Sequence, residues 1–499
     1  MTTSRFLQRL LWTLQCFTAL TFVLFAITFW TTERHPILLR QASSGFASFH
    51  RLYPSVVSDR NGAAAADAVD TMDGPVVDLQ APPMGFMSWE RFMCEIDCED
   101  HPHECINEEL YTTMADAMVA GGYVEAGYNG VDIDDCWAVK DGRDTETQRL
   151  VPDPERFPNG MKFLADYLHA RGMLFGTYSD VGTHTCGGYP GSKDHEAIDA
   201  QTFADWGVDY LKLDGCYIEL DGMPKYYAKW GNELKHIAEE QRIVFSCSWP
   251  AYLGDDETTK PFAQMYRAGC NTWRNWADID NTSNSLKGII MHWARYAETL
   301  RKNQPNGAFH DADMLLVGDD HHGKRLSVEQ ARLQMGFWAL VASPLFIGGD
   351  VRTIPDEYAQ ILLNHDIIAI NQDPGRRMGK CLSGCHGNRV EEQQVWHREL
   401  NGNSSIALGF FNLNDDEIAS VASVRFSLNK KIIKCFDLWA PGGTLINLCP
   451  SGSGQMKTKD APWEINIGYD AKGSQSVQVT AHDMPPMTHH MLRLDLVPQ

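Results

Sequence analysis

The sequence predicts an α/β protein, a (β/α)8 TIM barrel followed by a C-terminal antiparallel β-sandwich, and three patterns support this. Between residues 81 and 374, short strand-like runs alternate with amphipathic helical stretches, which is typical of βα units in a parallel sheet. Eight such runs are present, the number that closes a barrel. Over 375–499 the runs are short and alternating, with no long helix between them, which indicates a sandwich.

The barrel strands and helices can be placed along the chain in order. We expect the strands at 84–89, 128–135, 174–180, 210–215, 243–249, 271–276, 309–315 and 344–349. Helices are expected at 108–119, 161–171, 199–206, 286–302 and 327–342, and sandwich strands at 392–396, 405–412, 420–427, 432–437 and 491–496. Because the active site of such a barrel gathers at the carboxyl ends of its strands, the residues ending these runs are the first functional candidates.

The N-terminus, residues 1–33, has the pattern of a signal peptide or signal anchor. Arg5 and Arg9 precede an uncharged, mainly apolar run over 10–32, which is long enough to span a bilayer. No clear small-residue cleavage site follows, which favours an uncleaved membrane anchor, although a cleaved signal also fits. Both alternatives send the rest of the chain into the secretory lumen. The irregular composition of 34–80 predicts a flexible stalk.

Charge and cysteine content exclude several classes of partner. The formal charge is −22, from 65 acidic and 43 basic residues, and no basic patch interleaved with aromatics is evident, so nucleic acid is not expected as a partner. Of the 13 cysteines, Cys16 lies in the apolar run, which leaves an even number for the lumenal part. Without paired C-x-x-C motifs, disulfides are a better interpretation than a metal site. Sequons at Asn281 and Asn403 permit N-glycosylation.

Acidic, aromatic and cationic residues collect at the predicted strand ends. Side chains two apart in a strand share a face, so Lys212 and Asp214 should point into one site. Alone, such a pair is more often a structural ion pair, but other strands end in similar residues. The remaining members are Trp89, Asp134, Asp135, Tyr178, Asp180, Ser248, Trp249, Arg274, Asp278, Asp311 and Asp313. Carboxylates that accept from hydroxyls and aromatic faces that stack on a pyranose indicate a sugar site.

Four ordered motifs carry a resemblance to a known family. They are Met-Gly-Phe-Met-Ser-Trp-Glu at 84–90, Ile-Asp-Asp-Cys-Trp at 133–137, Leu-Lys-Leu-Asp-Gly-Cys at 211–216 and Trp-Arg-Asn-Trp-Ala-Asp-Ile-Asp at 273–280. Together they resemble the lysosomal α-galactosidase and α-N-acetylgalactosaminidase family, glycoside hydrolase family 27. The resemblance runs from 81 to 374, and more weakly to the C-terminus. It implies a retaining glycosidase, without cofactor or metal, acting on α-galactosaminyl or α-galactosyl glycoconjugates.

The resemblance also implies roles for individual residues. Asp214 would be the nucleophile and Asp278 the general acid/base, with their carboxyl groups roughly 5 to 5.5 Å apart as retention requires. The group that grips the sugar's 4- and 6-hydroxyls would be Asp134, Asp135 and Lys212. The other implied contacts are Trp89 and Tyr178 as pocket walls, Arg274 at the carbon-2 substituent with Asp313 behind it, and Cys186 and Cys216 beside the nucleophile.

The specificity for the sugar is expected at Ser248, Ala251 and Tyr252. The α-galactosidase branch of the family has Glu and Leu where this chain has Ser248 and Ala251, and those larger residues would fill the space of an N-acetyl group. This chain therefore resembles the N-acetylgalactosaminidase branch, with residual action on galactose expected. The alternatives are an α-galactosidase proper and an inactive, anchored sugar-binding protein. The second is disfavoured because both Asp214 and Asp278 are present.

The family pattern further implies disulfides, delivery and assembly. The pairs implied are Cys94–Cys136, Cys98–Cys105, Cys186–Cys216 and Cys247–Cys270. For Cys381, Cys385, Cys435 and Cys449 three connectivities stay open, with local pairing a guess. Lysosomal delivery and a homodimer are implied by the family alone. The chain departs from the pattern at Ala312, where proline is usual, and in the polar stretch 319–324, which we interpret as a solvated loop rather than a metal site.

Overall fold

The computed structural model describes residues 74–321, 323–387, 389–440, 454–457, 463–469 and 475–498. The predicted signal segment at 1–33 and most of the predicted stalk lie outside these ranges. Within the described ranges, no helix has the length and apolar character needed to cross a bilayer. The barrel and the sandwich belong to one compact unit. The boundary between them at residue 374 stays a prediction.

The predicted barrel is confirmed. Its strands are β1 to β8, at Met84–Met87, Gly130–Asp132, Leu174–Asp180, Tyr210–Asp214, Val244–Cys247, Thr272–Arg274, Phe309–Asp311 and Leu345–Ile347. They pair in the order β7-β6-β5-β4-β3-β2-β1-β8, and every ladder is parallel. A parallel bridge between Leu315 and Ile347 links the chain after β7 to β8 and closes the sheet. The strand ends therefore converge on one face.

Helices cover the outside of the barrel. They run at Trp89–Phe92, Glu108–Ala120, Tyr123–Ala126, Gly160–His169, Glu196–Trp206, Met223–His236, Phe262–Arg267, Ser283–Arg295, Ala297–Asn303, Val328–Val341, Asp356–Leu362 and His365–Asn371. The single helix predicted over 286–302 is wrong, because it is broken at Tyr296. The helix at Met223–His236 was not predicted, although the spacing of its buried Met223, Tyr227, Trp230 and Leu234 is helical.

The C-terminal part consists of two antiparallel sheets, as predicted. Its strands β9 to β17 are Lys380–His386, Arg389–Leu400, Ser405–Asn412, Ala419–Leu428, Lys430–Asp437, Gly454–Lys457, Trp463–Tyr469, Gln475–Met484 and Thr488–Pro498. One sheet has the order β13-β17-β11-β10-β9 and the other β12-β16-β15-β14. The sandwich contacts the barrel through helix Val328–Val341, where the ring of Phe337 lies 5.2 Å from Trp396 and 5.8 Å from Phe411.

The chain just before the barrel is bound to it. Residues 76–80 belonged to the predicted flexible stalk, but Val76 and Leu79 pack against the main core. Asn271 Nδ2 donates to the Val77 carbonyl at 2.7 Å, and Arg376 Nη1 pairs with Asp78 Oδ1 at 2.7 Å. These apolar and charged contacts hold the segment in place, so the stalk prediction does not extend to residue 80.

Disulfides fasten both parts of the chain. The structure pairs Cys94 with Cys136, Cys98 with Cys105, Cys186 with Cys216 and Cys247 with Cys270, the pairs that the resemblance implies. It also pairs Cys381 with Cys385, which is the local option. Cys435 is disulfide-bonded as well, while Cys449 lies outside the described residues. Disulfides in these numbers indicate an oxidising compartment, the lumen of the secretory pathway.

Candidate active site

A buried ion pair occupies the carboxyl end of β4. Lys212 Nζ contacts Asp134 Oδ2 at 2.6 Å, and both residues are buried. Burial alone would lower the pKa of Lys212, but the charges of Asp134 and Asp214 outweigh it and raise the pKa above its ordinary value. The lysine therefore stays cationic. Its direct partner is Asp134, whereas the sequence emphasised Asp214, two residues along the same strand.

Asp214 is instead held by two tyrosine hydroxyls. Tyr252 donates to Oδ1 at 2.7 Å and Tyr178 to Oδ2 at 3.2 Å, while the Gly215 amide donates to Oδ1 at 2.9 Å. Burial and the charge of Asp214 raise the pKa of both tyrosines well above the usual value. The hydroxyls therefore remain protonated donors, and both carboxylate oxygens of Asp214 are oriented.

A disulfide and a buried carboxyl lie behind Asp214. The Cys216 amide donates to Asp180 Oδ2 at 2.8 Å, and the Gly182 amide to Oδ1 at 2.7 Å. Burial, and then the neighbouring charge of Asp214, raises the pKa of Asp180 well above its ordinary range. Asp180, Cys186 and Cys216 lie close enough to hold a metal ion, but both sulfurs belong to one disulfide and cannot act as thiolate ligands.

The second candidate carboxylate, Asp278, lies on the loop after β6. Arg274 Nη2 pairs with Asp278 Oδ1 at 2.9 Å and with Asp313 Oδ2 at 2.8 Å, and 56% of the Asp278 side chain is exposed. Burial would lower the pKa of Arg274, but Asp313 and Asp278 raise it. Asp313 also accepts the Ile279 amide at 2.9 Å, so it fixes the loop that carries Asp278. Arg274 thus joins the exposed carboxylate to a buried one.

Two more buried carboxyls surround this pair. Burial, together with the charges of Asp313 and Asp319, raises the pKa of Glu90 to about 9. Burial likewise raises the pKa of Asp311 to about 6, although Arg274 opposes the change. The sequence placed Asp311 near the site, but it gave Glu90 only as part of a motif. Nothing in the spacing of the sequence marks Glu90 as a buried neighbour of Asp313.

The remaining candidates line the same face. Asp135 accepts the Gly187 amide at 2.7 Å, and burial raises its pKa to about 6. Trp89 is half-buried and packs against a small cluster inside the barrel that includes Met87 and Tyr210. The structure also reveals a support that the sequence did not suggest: the Ser88 hydroxyl accepts the Asp134 amide at 3.0 Å.

Ser248, Ala251 and Tyr252 lie together after β5. Ser248 is the residue before the 3-10 helix Trp249–Leu253, which carries the other two. The Ser248 amide donates to the Leu213 carbonyl at 3.0 Å, so the turn is attached to β4 at the residue before Asp214. Residues three apart in a 3-10 helix eclipse one another, which puts Ser248 and Ala251 on one side.

The two sequons differ sharply in exposure. Asn281 is 6% exposed, and its Nδ2 donates to the buried Asp319. A glycan on Asn281 Nδ2 would have to displace this contact, so glycosylation at Asn281 stays a prediction that the burial of the side chain disfavours. Asp319 was expected in a solvated loop, and that prediction is wrong at this residue. Asn403 lies on an exposed turn at Asn401–Asn403 and is accessible.

Comparison with known proteins decides the family. The family model described as Alpha galactosidase A matches residues 81–373, more than half of the chain. The chain belongs to this family, glycoside hydrolase family 27. It is 41% identical to human alpha-galactosidase A over 70% of this chain and 77% of that protein. It is 43% identical to chicken alpha-N-acetylgalactosaminidase over 68% of this chain and 80% of that protein.

A solved structure shares the fold of this chain. The alpha-galactosidase I of Mortierella vinacea superposes with a TM-score of 0.64, covering 84% of this chain and 98% of its own. The identity between the two is 24%, so this likeness carries the fold only. The barrel and the sandwich of this family 27 member are thus a known combination.

Proposed function

We propose that this chain is a retaining exo-glycosidase that removes terminal α-linked N-acetylgalactosamine, and also α-galactose, from glycolipids, glycoproteins or oligosaccharides. The observation that carries the proposal is the geometry around Asp214, a carboxylate oriented by two hydroxyls on the same barrel face as Asp278. The names of the curated relatives, which include both activities, support the same chemistry.

The proposed mechanism is a double displacement. Asp214 attacks the anomeric carbon, and a covalent glycosyl-enzyme forms as Asp278 gives its proton to the leaving oxygen. Asp278 then takes a proton from water, which displaces Asp214 from the anomeric carbon. The exposure of the Asp278 side chain supports this assignment, because both the leaving group and water must reach it. The Tyr178 and Tyr252 hydroxyls orient Asp214 for attack.

The sugar's hydroxyls are proposed to bind at the polar side of the pocket. Asp134 and Asp135 would accept from the 4- and 6-hydroxyls, and Lys212 would donate to them. The raised pKa of Lys212 supports this role, since a permanent cation can donate in both the free and bound states. Trp89 would form one wall of the sugar pocket, and Arg274 would contact the substituent at carbon 2 of the sugar. Cys186 and Cys216 would contact the sugar beside the nucleophile.

Preference for the N-acetyl group is proposed to lie at Ser248 and Ala251. Both side chains are small, and both lie on the turn that also carries Tyr252, the donor to Asp214. Ser248 can hydrogen-bond the acetamide, and Ala251 leaves room for its methyl group. The second candidate is an α-galactosidase proper, favoured by the 41% identity to human alpha-galactosidase A.

The compartment and assembly are proposed on the family's pattern. The disulfides support secretory delivery, and the lysosome is the proposed destination. The N-terminal anchor or signal peptide and the homodimer remain predictions.

A direct assay tests the function. The full chain, expressed in a secretory host, is incubated at acidic pH with α-N-acetylgalactosaminide and α-galactoside, with Asp214→Asn as the inactive control. Turnover of both sugars with preference for the first is expected. Proton NMR of the released sugar should show the α-anomer first, as retention requires. A folded chain that cleaves neither substrate would refute the proposed glycosidase activity. Faster cleavage of the galactoside would favour an α-galactosidase proper.

A further inference from the structure

A buried charged cluster lies beside the loop that follows β6, and the proposed mechanism does not use it. Glu257 and Lys260 belong to the segment between the 3-10 helix and helix Phe262–Arg267, while His292 belongs to the helix after β6. Lys260 Nζ and His292 Nε2 each lie 2.8 Å from Glu257 Oε1, and all three residues are buried. Burying charges is costly even when they pair, so stability alone does not account for them. We call Glu257, Lys260 and His292 the anchor cluster.

The anchor cluster fixes the residue at which the loop leaves β6. This residue, Asn275, directly follows Arg274, the last residue of the strand, and is fully buried. Lys260 Nζ donates to the Asn275 carbonyl at 2.5 Å, and Asn275 Nδ2 donates to Glu257 Oε2 at 3.2 Å. Both the backbone and the side chain of Asn275 are therefore bound to the cluster, three residues before Asp278.

The next residue of the loop is held by a ring contact. The Trp276 indole stacks on the His292 imidazole, with the ring centroids 4.2 Å apart and the planes 1° from parallel. The orientation of the imidazole is itself fixed, because its Nε2 is bonded to Glu257. Trp276 Nε1 also donates to Asp255 Oδ1 at 2.8 Å, which fixes the indole within its plane. Glu257 thus orients the ring against which Trp276 packs.

The far end of the same loop is held by Asp313, which accepts the Ile279 amide at 2.9 Å. The loop over 275–279 is therefore attached to buried groups at both ends, while Asp278 between them is exposed. The Asp278 carboxylate pairs with Arg274 at 2.9 Å, but more than half of its side chain is open to solvent. Its place at the barrel face consequently depends on the two attachments of the loop, and the anchor cluster supplies the first.

We propose that Glu257 is a positioning residue for the reaction: with Lys260 and His292, it holds the loop so that Asp278 meets the leaving oxygen. This inference rests on the proposed function, in which Asp278 is the general acid/base. As the bond from the anomeric carbon to the leaving oxygen breaks, the Asp278 proton moves to that oxygen and Asp214 bonds to the carbon. A displaced loop would weaken this proton transfer, while Asp214, which lies on β4, would stay in place.

The leaving group separates a positioning role from a structural one. General acid catalysis typically contributes about 10²–10⁴ in rate, but only where the leaving oxygen needs the proton. An alkyl α-N-acetylgalactosaminide needs it, because an alkoxide is a poor leaving group. The dinitrophenyl α-N-acetylgalactosaminide does not, since dinitrophenolate leaves as a stable anion. A displaced Asp278 should therefore slow cleavage of the alkyl substrate and spare that of the dinitrophenyl substrate.

Two variants of the full chain disturb the anchor cluster in different ways. Glu257→Gln keeps the size of the side chain but removes the charge that binds Lys260 and His292. Trp276→Leu instead removes the ring that stacks on His292. Because Trp276 is only half-buried, this second variant provides the test if Glu257→Gln does not fold. Circular dichroism and the melting temperature identify the folded variants.

Two further variants serve as controls. Glu196→Gln is matched to Glu257→Gln, because the Glu196 side chain is also buried and pairs with Lys229 at 2.5 Å, but lies at the start of the helix after β3. It should behave as the wild type on both substrates. Asp278→Ala removes the general acid itself and should show the leaving-group effect at its full size.

We expect kcat/KM for the alkyl substrate to fall about tenfold or more in Glu257→Gln and Trp276→Leu, with less than about a twofold change for the dinitrophenyl substrate. KM for the dinitrophenyl substrate should also fall. Asp278 activates the water of the second step, and a slower second step lets the glycosyl-enzyme accumulate. Equal losses of kcat/KM on both substrates would overturn the proposal, since the cluster would then only support the fold. Unchanged values on both would overturn it as well.

The controls distinguish a failure of this inference from a failure of the proposed function. If Asp278→Ala shows the leaving-group effect while folded Glu257→Gln and Trp276→Leu do not, only the role of the anchor cluster is refuted. If Asp278→Ala loses activity equally on both substrates, or the wild-type chain cleaves neither, the proposed function is refuted and the role of the anchor cluster with it.

Discussion

The Tyr252 hydroxyl donates a hydrogen bond to Asp214 Oδ1 at 2.7 Å, the shortest of the three bonds to this carboxylate. Tyr252 lies on the turn after β5, and Asp214 ends β4, so the bond couples two neighbouring strands of the barrel. Tyr252, which was predicted to contribute to sugar specificity, therefore also orients the candidate nucleophile. The roles of the Tyr252 ring and of its hydroxyl can be tested separately by mutation.

Removing the Tyr252 hydroxyl should slow the chemistry while preserving binding. Tyr252→Phe keeps the ring but loses a bond to a charged acceptor, which is worth about 1.5 to 3 kcal/mol. We expect kcat to fall about 10- to 100-fold with little change in KM. Tyr178→Phe, whose bond to Asp214 is longer at 3.2 Å, should cost less. Steady-state kinetics with a soluble α-N-acetylgalactosaminide provides the measurement.

Tyr227→Phe is the matched control for this experiment. Tyr227 is buried on a nearby helix, and its hydroxyl donates to the Leu213 carbonyl at 3.0 Å rather than to Asp214. Loss of the Tyr227 hydroxyl should lower the melting temperature without a comparable fall in kcat. Equal effects of the Tyr227 and Tyr252 variants on kcat would mean that the hydroxyl of Tyr252 is only structural.

Enlarging the pocket residues should change the sugar preference. Ser248→Glu combined with Ala251→Leu fills one side of the 3-10 turn, where an acetamide would fit. Since a single small contact is worth about 1 to 3 kcal/mol, the ratio of kcat/KM for galactoside to that for N-acetylgalactosaminide should rise tenfold or more. Competition between the two substrates measures the ratio directly. An unchanged ratio would show that the specificity pocket has been misassigned.

The sequence predicted the barrel well because each strand carries its own local signal. β3 has the predicted bounds. Lys212 and Asp214 share a face because side chains alternate between the two faces of any strand, and both residues lie in β4. The helix at Met223–His236 was missed although its buried residues recur at helical spacing and Pro224, in its first turn, is compatible with a helix start; only Gly231 lowers the propensity of its interior. The sandwich strands β14 to β16 were also missed, although β14 pairs with β15 and β15 with β16, which follow one another along the chain.

The partners of the charged residues could not be predicted in the same way. The alternation of side chains along a strand predicts that Lys212 faces the site, but it does not predict which of several carboxylates lies nearest to it. The structure selects Asp134, 78 residues away, while Asp214 is satisfied by tyrosine hydroxyls. Likewise, the burial of Asn281 depends on Asp319, which reaches it from a different loop. These relationships arise from the closure of the barrel and not from local sequence.

Glu90 should make the protein less stable as pH rises. Its pKa is raised to about 9 in the folded state, mainly by burial, so the folded chain keeps a proton that the unfolded chain loses above its ordinary value of 4.5. Stability from this group is therefore fully present at acidic pH and is lost as pH rises towards 9. Glu90→Gln should raise the melting temperature by about 2 °C or more at pH 8, with little change at pH 4.5.

Thermal unfolding across this pH range provides the measurement. Glu109→Gln serves as the control, because Glu109 is exposed on helix Glu108–Ala120. Its melting temperature should follow that of the wild type at every pH. A stabilisation by Glu90→Gln that is the same at pH 4.5 and pH 8 would argue against a neutral, buried Glu90 carboxyl.

Glycosylation should occur at Asn403 and not at Asn281. The Asn403 turn is exposed, whereas Asn281 is 6% exposed and its amide is used by Asp319. In a secretory host, Asn403→Gln should lose the mass of one N-glycan, which mass spectrometry before and after glycosidase treatment will detect. Asn281→Gln should leave the glycan mass unchanged. It should lower the melting temperature, because Asp319 then loses the hydrogen bond that Asn281 Nδ2 donates to it. Loss of a glycan from Asn281→Gln would show that this side chain is accessible while the chain folds, and that the Asp319 contact forms in only part of the molecules.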